Sequence, residues 1–131
     1  MKKILLITTG GTIACIKTAS GLIPHATPSE LLKEVEVINT FCSPTGINLM
    51  CLDSTDMLPT DWIKIAECIQ DNYNLYDGFV ICHGTDTLSY TASALSYLIQ
   101  NSKKPIVLTG AQKPISTDST DARNNLIDSF R

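Results

Sequence analysis

Long apolar runs are missing from this 131-residue chain, and none exceeds Ile4-Leu5-Leu6-Ile7 in length. Such runs are too short to span a bilayer or to form a signal-peptide core, although Lys2-Lys3 resembles a positive start. An excess of one charge is missing too. Lys+Arg 10 stand against Asp+Glu 13, a net charge of −3, which leaves no electrostatic footprint for nucleic acid or an anionic membrane. Charged residues are scarce at 18% while hydrophobic residues reach 44%, and that balance excludes disorder. Metal and phosphate signatures are also missing. There is no CxxC, HxH or HExxH, His25 and His83 lie far apart, and neither GxGxxG nor GxxxxGK[ST] occurs. No cofactor is implied. The five cysteines (15, 42, 51, 68, 82) are an odd number without zinc-type spacing, and read as thiols in a reducing cytosol. The length suits one domain with a single core.

Four short apolar segments are present, and each runs into small or polar residues. Ile4 to Ile7 is followed by Thr8-Thr9-Gly10-Gly11-Thr12, and Ile47 to Leu52 by Asp53-Ser54-Thr55-Asp56. Gly78 to Cys82 is followed by His83-Gly84-Thr85-Asp86, and Ile106 to Leu108 by Thr109-Gly110. Continuous rather than alternating apolar character predicts strands covered on both faces, as in a parallel sheet. Helical patterns lie between the strands. Thr27-Pro28-Ser29-Glu30 reads as an N-cap, a first-turn Pro and a capping-box Glu, opening a helix to about residue 37. Further helices are expected over 59–72, with Trp62, Ile65, Ala66 and Ile69 on one face, and over 87–100, with Leu88, Thr91, Ala92, Leu95, Leu98 and Ile99 on one stripe. A last one starts near Asp121 and carries Leu126, Ile127 and Phe130. The fold class is therefore α/β, a mostly parallel sheet flanked by helices with right-handed crossovers. Residues 15–27 lack a helical pattern and read as an irregular loop, placed where a mobile lid would sit.

Ligands of open α/β sheets bind outside the carboxyl ends of the strands. Those ends present Thr12, Ser54, Thr55, Asp56, Thr85 and Asp86. Taken singly, each reads first as a cap, and Asp86 stands where it would cap a helix starting at Thr87. Their joint occurrence points instead to a small zwitterionic substrate, with an acid for its ammonium and hydroxyls and loop amides for its carboxylate. Thr12 follows two glycines and Thr85 follows Gly84, so both hydroxyls are open to close approach. Two such threonines beside a carboxylate suggest acyl transfer, with backbone N–H groups serving the oxyanion. Cys15 has no charge partner in the sequence and reads as a packed thiol; His83 reads as a structural residue bonded to backbone.

At these residues the chain resembles the bacterial-type L-asparaginases, threonine amidohydrolases that include glutaminase-asparaginases. The likeness rests on Thr9-Gly10-Gly11-Thr12-Ile13-Ala14, Asp53-Ser54-Thr55-Asp56-Met57, His83-Gly84-Thr85-Asp86-Thr87-Leu88 and Leu108-Thr109-Gly110-Ala111-Gln112-Lys113-Pro114. The stretch Ser89-Tyr90-Thr91-Ala92-Ser93-Ala94-Leu95 and Gln112 are similar to the cytosolic type I branch. The resemblance implies Thr12 as nucleophile and Thr85 as the second catalytic threonine. It implies Asp86 for the substrate ammonium, Ser54 for its carboxylate, and a substrate contact at Thr55. It further implies hydrolysis of L-asparagine, or of L-glutamine, without cofactor or metal. A cytoplasmic homo-oligomer is implied, a dimer or tetramer in which the neighbouring copy completes each site.

The family pattern is not matched everywhere. The tyrosine that many relatives carry in the lid is absent; the lid holds Gly21-Leu22-Ile23-Pro24, with Thr18 and Ser20 the hydroxyls at hand, and the first tyrosine is Tyr73. The family's catalytic lysine has no counterpart at Lys103, Lys104 or Lys113. Residues 1–131 are accordingly expected to be an N-terminal catalytic α/β domain, truncated before a C-terminal domain and inactive or nearly so alone. Two other readings stay open: a non-catalytic amino-acid-binding module on the same scaffold, and the amidase component of a tRNA-dependent amidotransferase.

Overall fold

Strand β1 (Lys2–Gly10) is the spine of the molecule because its apolar run feeds both sides of the sheet. Leu6 points into one core and Leu5 and Ile7 into the other, all three fully buried. The alternation follows from the period of two along a strand, and each such side chain contributes about 1.5–3 kcal/mol by leaving water. A computed structural model describes residues 1–131 except Ser20 and His25, with the backbone alone described at 16–18 and 22–24.

The element order after β1 is β2 (Cys15–Thr18), β3 (Gly21–Pro24), α1 (Pro28–Lys33), β4 (Cys42–Leu52), α2 (Pro59–Asn72), β5 (Gly78–Cys82), α3 (Leu88–Leu98), β6 (Ile106–Thr109) and α4 (Ala122–Phe130). The main sheet has the order β4-β1-β5-β6 and every pairing in it is parallel. Side chains of α1 and α4 join Leu6, Val80 and Cys82 in one core, whereas α2 and α3 pack Ile65, Ile69 and Leu95 on Leu5, Ile7, Phe79 and Ile81. The α/β architecture expected from the strand–helix alternation is the one observed. Leu126 and Phe130 are buried, so the last helix covers its apolar face within the domain.

Four local expectations need correction. Helix α1 opens on the expected capping box, with the Glu30 amide donating to Thr27 Oγ1 and the Thr27 amide to Glu30 Oε2. It ends at Lys33 rather than near 37, and a 3-10 turn, Glu36–Thr40, follows. Val35, Val37 and Ile38 are β-branched and stiff against the preceding turn, which explains the early stop. Strand β4 starts at Cys42, five residues before the expected Ile47. Pro44 is tolerated there because β4 is an edge strand. Segment 15–27 is not irregular throughout: β2 and β3 form an antiparallel hairpin. Leu98, placed on the apolar stripe of α3, is about half exposed.

Candidate functional site

The crossovers that leave β1 and β5 run to opposite sides, one to β4 and the other to β6, so the crevice between their carboxyl ends is the switch point of the sheet. The loops beyond those ends and beyond β4 meet there because glycines let them touch. Gly11 has φ +81, and a methyl group on it would lie 2.5 Å from the Gly84 nitrogen. A methyl group on Gly84 would lie 2.6 Å from the Ser54 hydroxyl oxygen. The Gly11 amide donates to Leu52 O at 3.2 Å, and Thr9 Oγ1 donates to Cys82 O at 2.8 Å, tying the three strand ends together. Thr87 Oγ1 donates to Ser54 O at 2.7 Å, anchoring the start of α3 on the β4 loop.

The result is a cavity of about 260 Å³ lined by Gly11, Thr12, Cys15, Leu52, Asp53, Ser54, Gly84, Thr85 and Asp86. It lies below the roughly 300–1,000 Å³ of pockets that hold drug-sized ligands, a size suited to one amino acid. Of the residues singled out in the sequence, Thr12, Ser54, Thr85 and Asp86 are brought together. Ser54 is buried, Thr12 and Thr85 are half-buried, and Asp86 is exposed. Thr55 and Asp56 are exposed and outside the lining; the Thr55 hydroxyl instead donates to Asp53 Oδ1 at 2.8 Å. Asp86 does not cap α3, whose N-cap is Thr87. The hydroxyls considered at Thr18 and Ser20, and His25, lie outside the described residues.

Asp53 lines the cavity although the sequence suggested no role for it. Its carboxyl is held below the usual carboxylate range by the Thr55 amide and then by the Thr55 hydroxyl. Its place directly before Ser54 at a strand end was the available signal. Cys15 is a packed thiol: burial, then Cys51 and Asp53, push it up, and its Sγ donates to Gly11 O at 3.4 Å. None of Lys103, Lys104 and Lys113 lines the cavity. Lys104 Nζ donates to the carbonyls of Tyr73 and Tyr76, closing the end of α2, and Tyr73 lies there as well. Among the described residues no three His, Cys, Asp or Glu side chains converge as a metal site, and no helix is long and apolar enough to cross a membrane.

A larger cavity, about 520 Å³, opens at the other end of the sheet between the C-terminal ends of α2 and α3. Gln100 there donates to Ser96 O and Tyr97 O, and Ser102 Oγ to Lys104 O, so these groups finish helices and turns. The smaller cavity is the one where hydroxyls and carboxylates converge.

His83 is fully buried behind this cavity, and its partners are backbone and protein, as expected for a structural residue. Nδ1 lies 2.7 Å from Gly84 O, and Nε2 lies 2.8 Å from Thr91 Oγ1, which also accepts from Trp62 Nε1 at 2.9 Å. Sequence reasoning missed Thr91 and Trp62, because helical spacing marks them only as part of an apolar face.

A likeness to known proteins covers the whole chain. It is 40% identical over 135 residues to L-asparaginase 1 of Escherichia coli (strain K12), an alignment covering 98% of this chain and 39% of that protein. It is 42% identical over 134 residues to a glutamyl-tRNA(Gln) amidotransferase component of Pyrococcus abyssi, covering 100% of this chain and 31% of that protein. The solved structure of the thermostable L-asparaginase from Thermococcus kodakarensis superimposes with a TM-score of 0.90 at 38% identity, covering 98% of this chain and 39% of that one. The chain thus spans well under half the length of these relatives. Residues 3–131 match the family described as Asparaginase, N-terminal, and with the same fold and motif set in place, the chain belongs to the asparaginase family.

Proposed function

We propose that the intact protein hydrolyses the side-chain amide of L-asparagine to L-aspartate and ammonia, with residues 1–131 as its N-terminal catalytic domain. The observation that carries this reading is the convergence of Thr12, Ser54, Thr85 and Asp86 on one cavity at the sheet's switch point. The Thr12 hydroxyl adds to the amide carbon, and its proton passes to the leaving nitrogen as ammonia departs. That leaves an aspartyl ester on Thr12. Water, oriented by Thr85, then cleaves the ester and returns the proton to Thr12. Backbone N–H groups of the glycine-rich turns stabilise the oxyanion in both steps. Asp86 pairs with the substrate ammonium and Ser54 donates to its carboxylate. Thr55 stays off the cavity wall, its hydroxyl engaged with Asp53, so its part is to hold the Asp53 carboxylate in place.

Five cysteines without a disulfide among them accord with a cytoplasmic protein. Assembly as a homodimer or homotetramer is part of the proposal. The likeness to the amidotransferase component supports a second reading, amide hydrolysis in the service of a tRNA-bound acceptor. Ammonia release by the purified full-length protein from free L-asparagine, measured beside L-glutamine, separates the two. Asp86→Asn and Ser54→Ala should each raise KM about tenfold or more, as expected for lost charged hydrogen bonds. Steady turnover without tRNA supports asparaginase activity. Turnover that needs tRNA favours the second reading, and ligand binding without ammonia favours a binding module.

A further inference from the structure

We propose that Trp62, Thr91 and His83 form a positioning relay that orients the Gly84–Thr85 peptide toward the substrate. The inference rests on the asparaginase reading of the cavity. The polarity of the chain follows from its ends. Gly84 O only accepts, so His83 Nδ1 carries the proton at 2.7 Å. Trp62 Nε1 only donates, so Thr91 Oγ1 accepts it at 2.9 Å and turns its own proton to His83 Nε2 at 2.8 Å. Every donor and acceptor is then satisfied with a neutral imidazole, and His83 and Thr91 are both fully buried. Burial holds the His83 imidazolium below the usual range, against the opposing pull of the Gly84 carbonyl.

The relay acts on the site through one peptide unit. The Gly84–Thr85 peptide is trans, so a Gly84 carbonyl turned to His83 turns the Thr85 N–H the opposite way. Gly84 and Thr85 line the cavity, so the relay's assigned role is to aim that N–H at a developing oxyanion. The His83 amide donates to Thr109 O at 2.9 Å, and a methyl group on Gly110 would lie 2.6 Å from His83 O and 3.1 Å from Thr85 Cγ2, so the backbone is clamped on its other side. The side-chain relay supplies the remaining rotational constraint. Small misplacements of a reacting group cost rate out of proportion to their size.

The test uses the full-length protein. Thr91→Val keeps the shape and removes the hydroxyl; Thr91→Ser restores it; His83→Asn keeps a donor near the Nδ1 position. Thr91→Val should lower kcat for L-asparagine about tenfold or more. KM and the affinity for L-aspartate should change by less than about twofold, and Thr91→Ser should restore most of the kcat. Nitrogen-15 histidine NMR, assigned with His83→Asn, should show His83 as the neutral Nδ1–H tautomer. An unchanged kcat in Thr91→Val overturns the relay, as does an Nε2–H or charged His83. A loss of kcat that Thr91→Ser does not restore also overturns it. A wild-type protein that is inactive on asparagine yet shows the Nδ1–H tautomer counts against the asparaginase reading and leaves the relay's geometry supported.

Discussion

Gly84 and Ser54 approach so closely that a single methyl group on Gly84 would lie 2.6 Å from both the Ser54 Cβ and its hydroxyl oxygen. This contact between the β5 and β4 loops fixes the width of the cavity. Gly84→Ala should therefore push Ser54 away from the ligand. A stability loss of about 1–3 kcal/mol is expected from overpacking. Affinity for L-aspartate should fall with it, read by calorimetry alongside a denaturation curve. Retention of both properties would show that the loops have slack which the geometry denies them.

His83 sets an acid limit on the fold. Its folded pKa lies below the unfolded value of about 6.5, so above that value both states are neutral and its contribution is fully present. As pH falls below about 6.5 the unfolded chain binds a proton that the folded chain refuses, and stability declines until the folded pKa is passed. Melting temperature should drop between about pH 7 and pH 5 in the wild type, and less steeply in His83→Asn. Equal slopes for the two proteins would place the acid sensitivity elsewhere.

Thiol reactivity should follow burial. Cys51 is exposed on β4, whereas Cys15, Cys42 and Cys82 are buried. Desolvation pushes the Cys82 thiol up to about 12, leaving little thiolate for alkylation near neutrality. Brief treatment with iodoacetamide near neutral pH, read by peptide mass spectrometry, should modify Cys51 well before Cys82. Early labelling of Cys82 would mean that the core opens readily around β5.

Much of the fold is legible in the sequence. The continuous apolar runs of β1 and β5 announce strands buried on both faces, and Thr27-Pro28-Ser29-Glu30 announces the start of α1 through its capping chemistry. Pro44 and Gly46 hide the first half of β4, because residues that usually mark turns are accepted there for tertiary reasons. The edge position spares Pro44 a ladder bond, and Gly46 packs where Pro28 Cβ would lie 2.3 Å from any side chain. The hairpin of β2 and β3 has strands of four residues each, too short for a periodicity to register. The site's hydroxyls and Asp86 are readable from their places at strand ends. Asp53, Thr91 and Trp62 are not, since their roles come from contacts that only the folded chain makes.

In the proposed reaction Thr12 is the nucleophile of an asparagine amidohydrolase. Full-length protein mixed with L-asparagine and quenched in acid during turnover tests it directly, with the Thr12 peptide analysed by mass spectrometry. The expected result is an aspartyl ester on Thr12, formed with ammonia release, and loss of that release by about 10³-fold or more in Thr12→Ala. Undiminished ammonia release by Thr12→Ala, or an ester on another residue, would rule out Thr12 as the nucleophile.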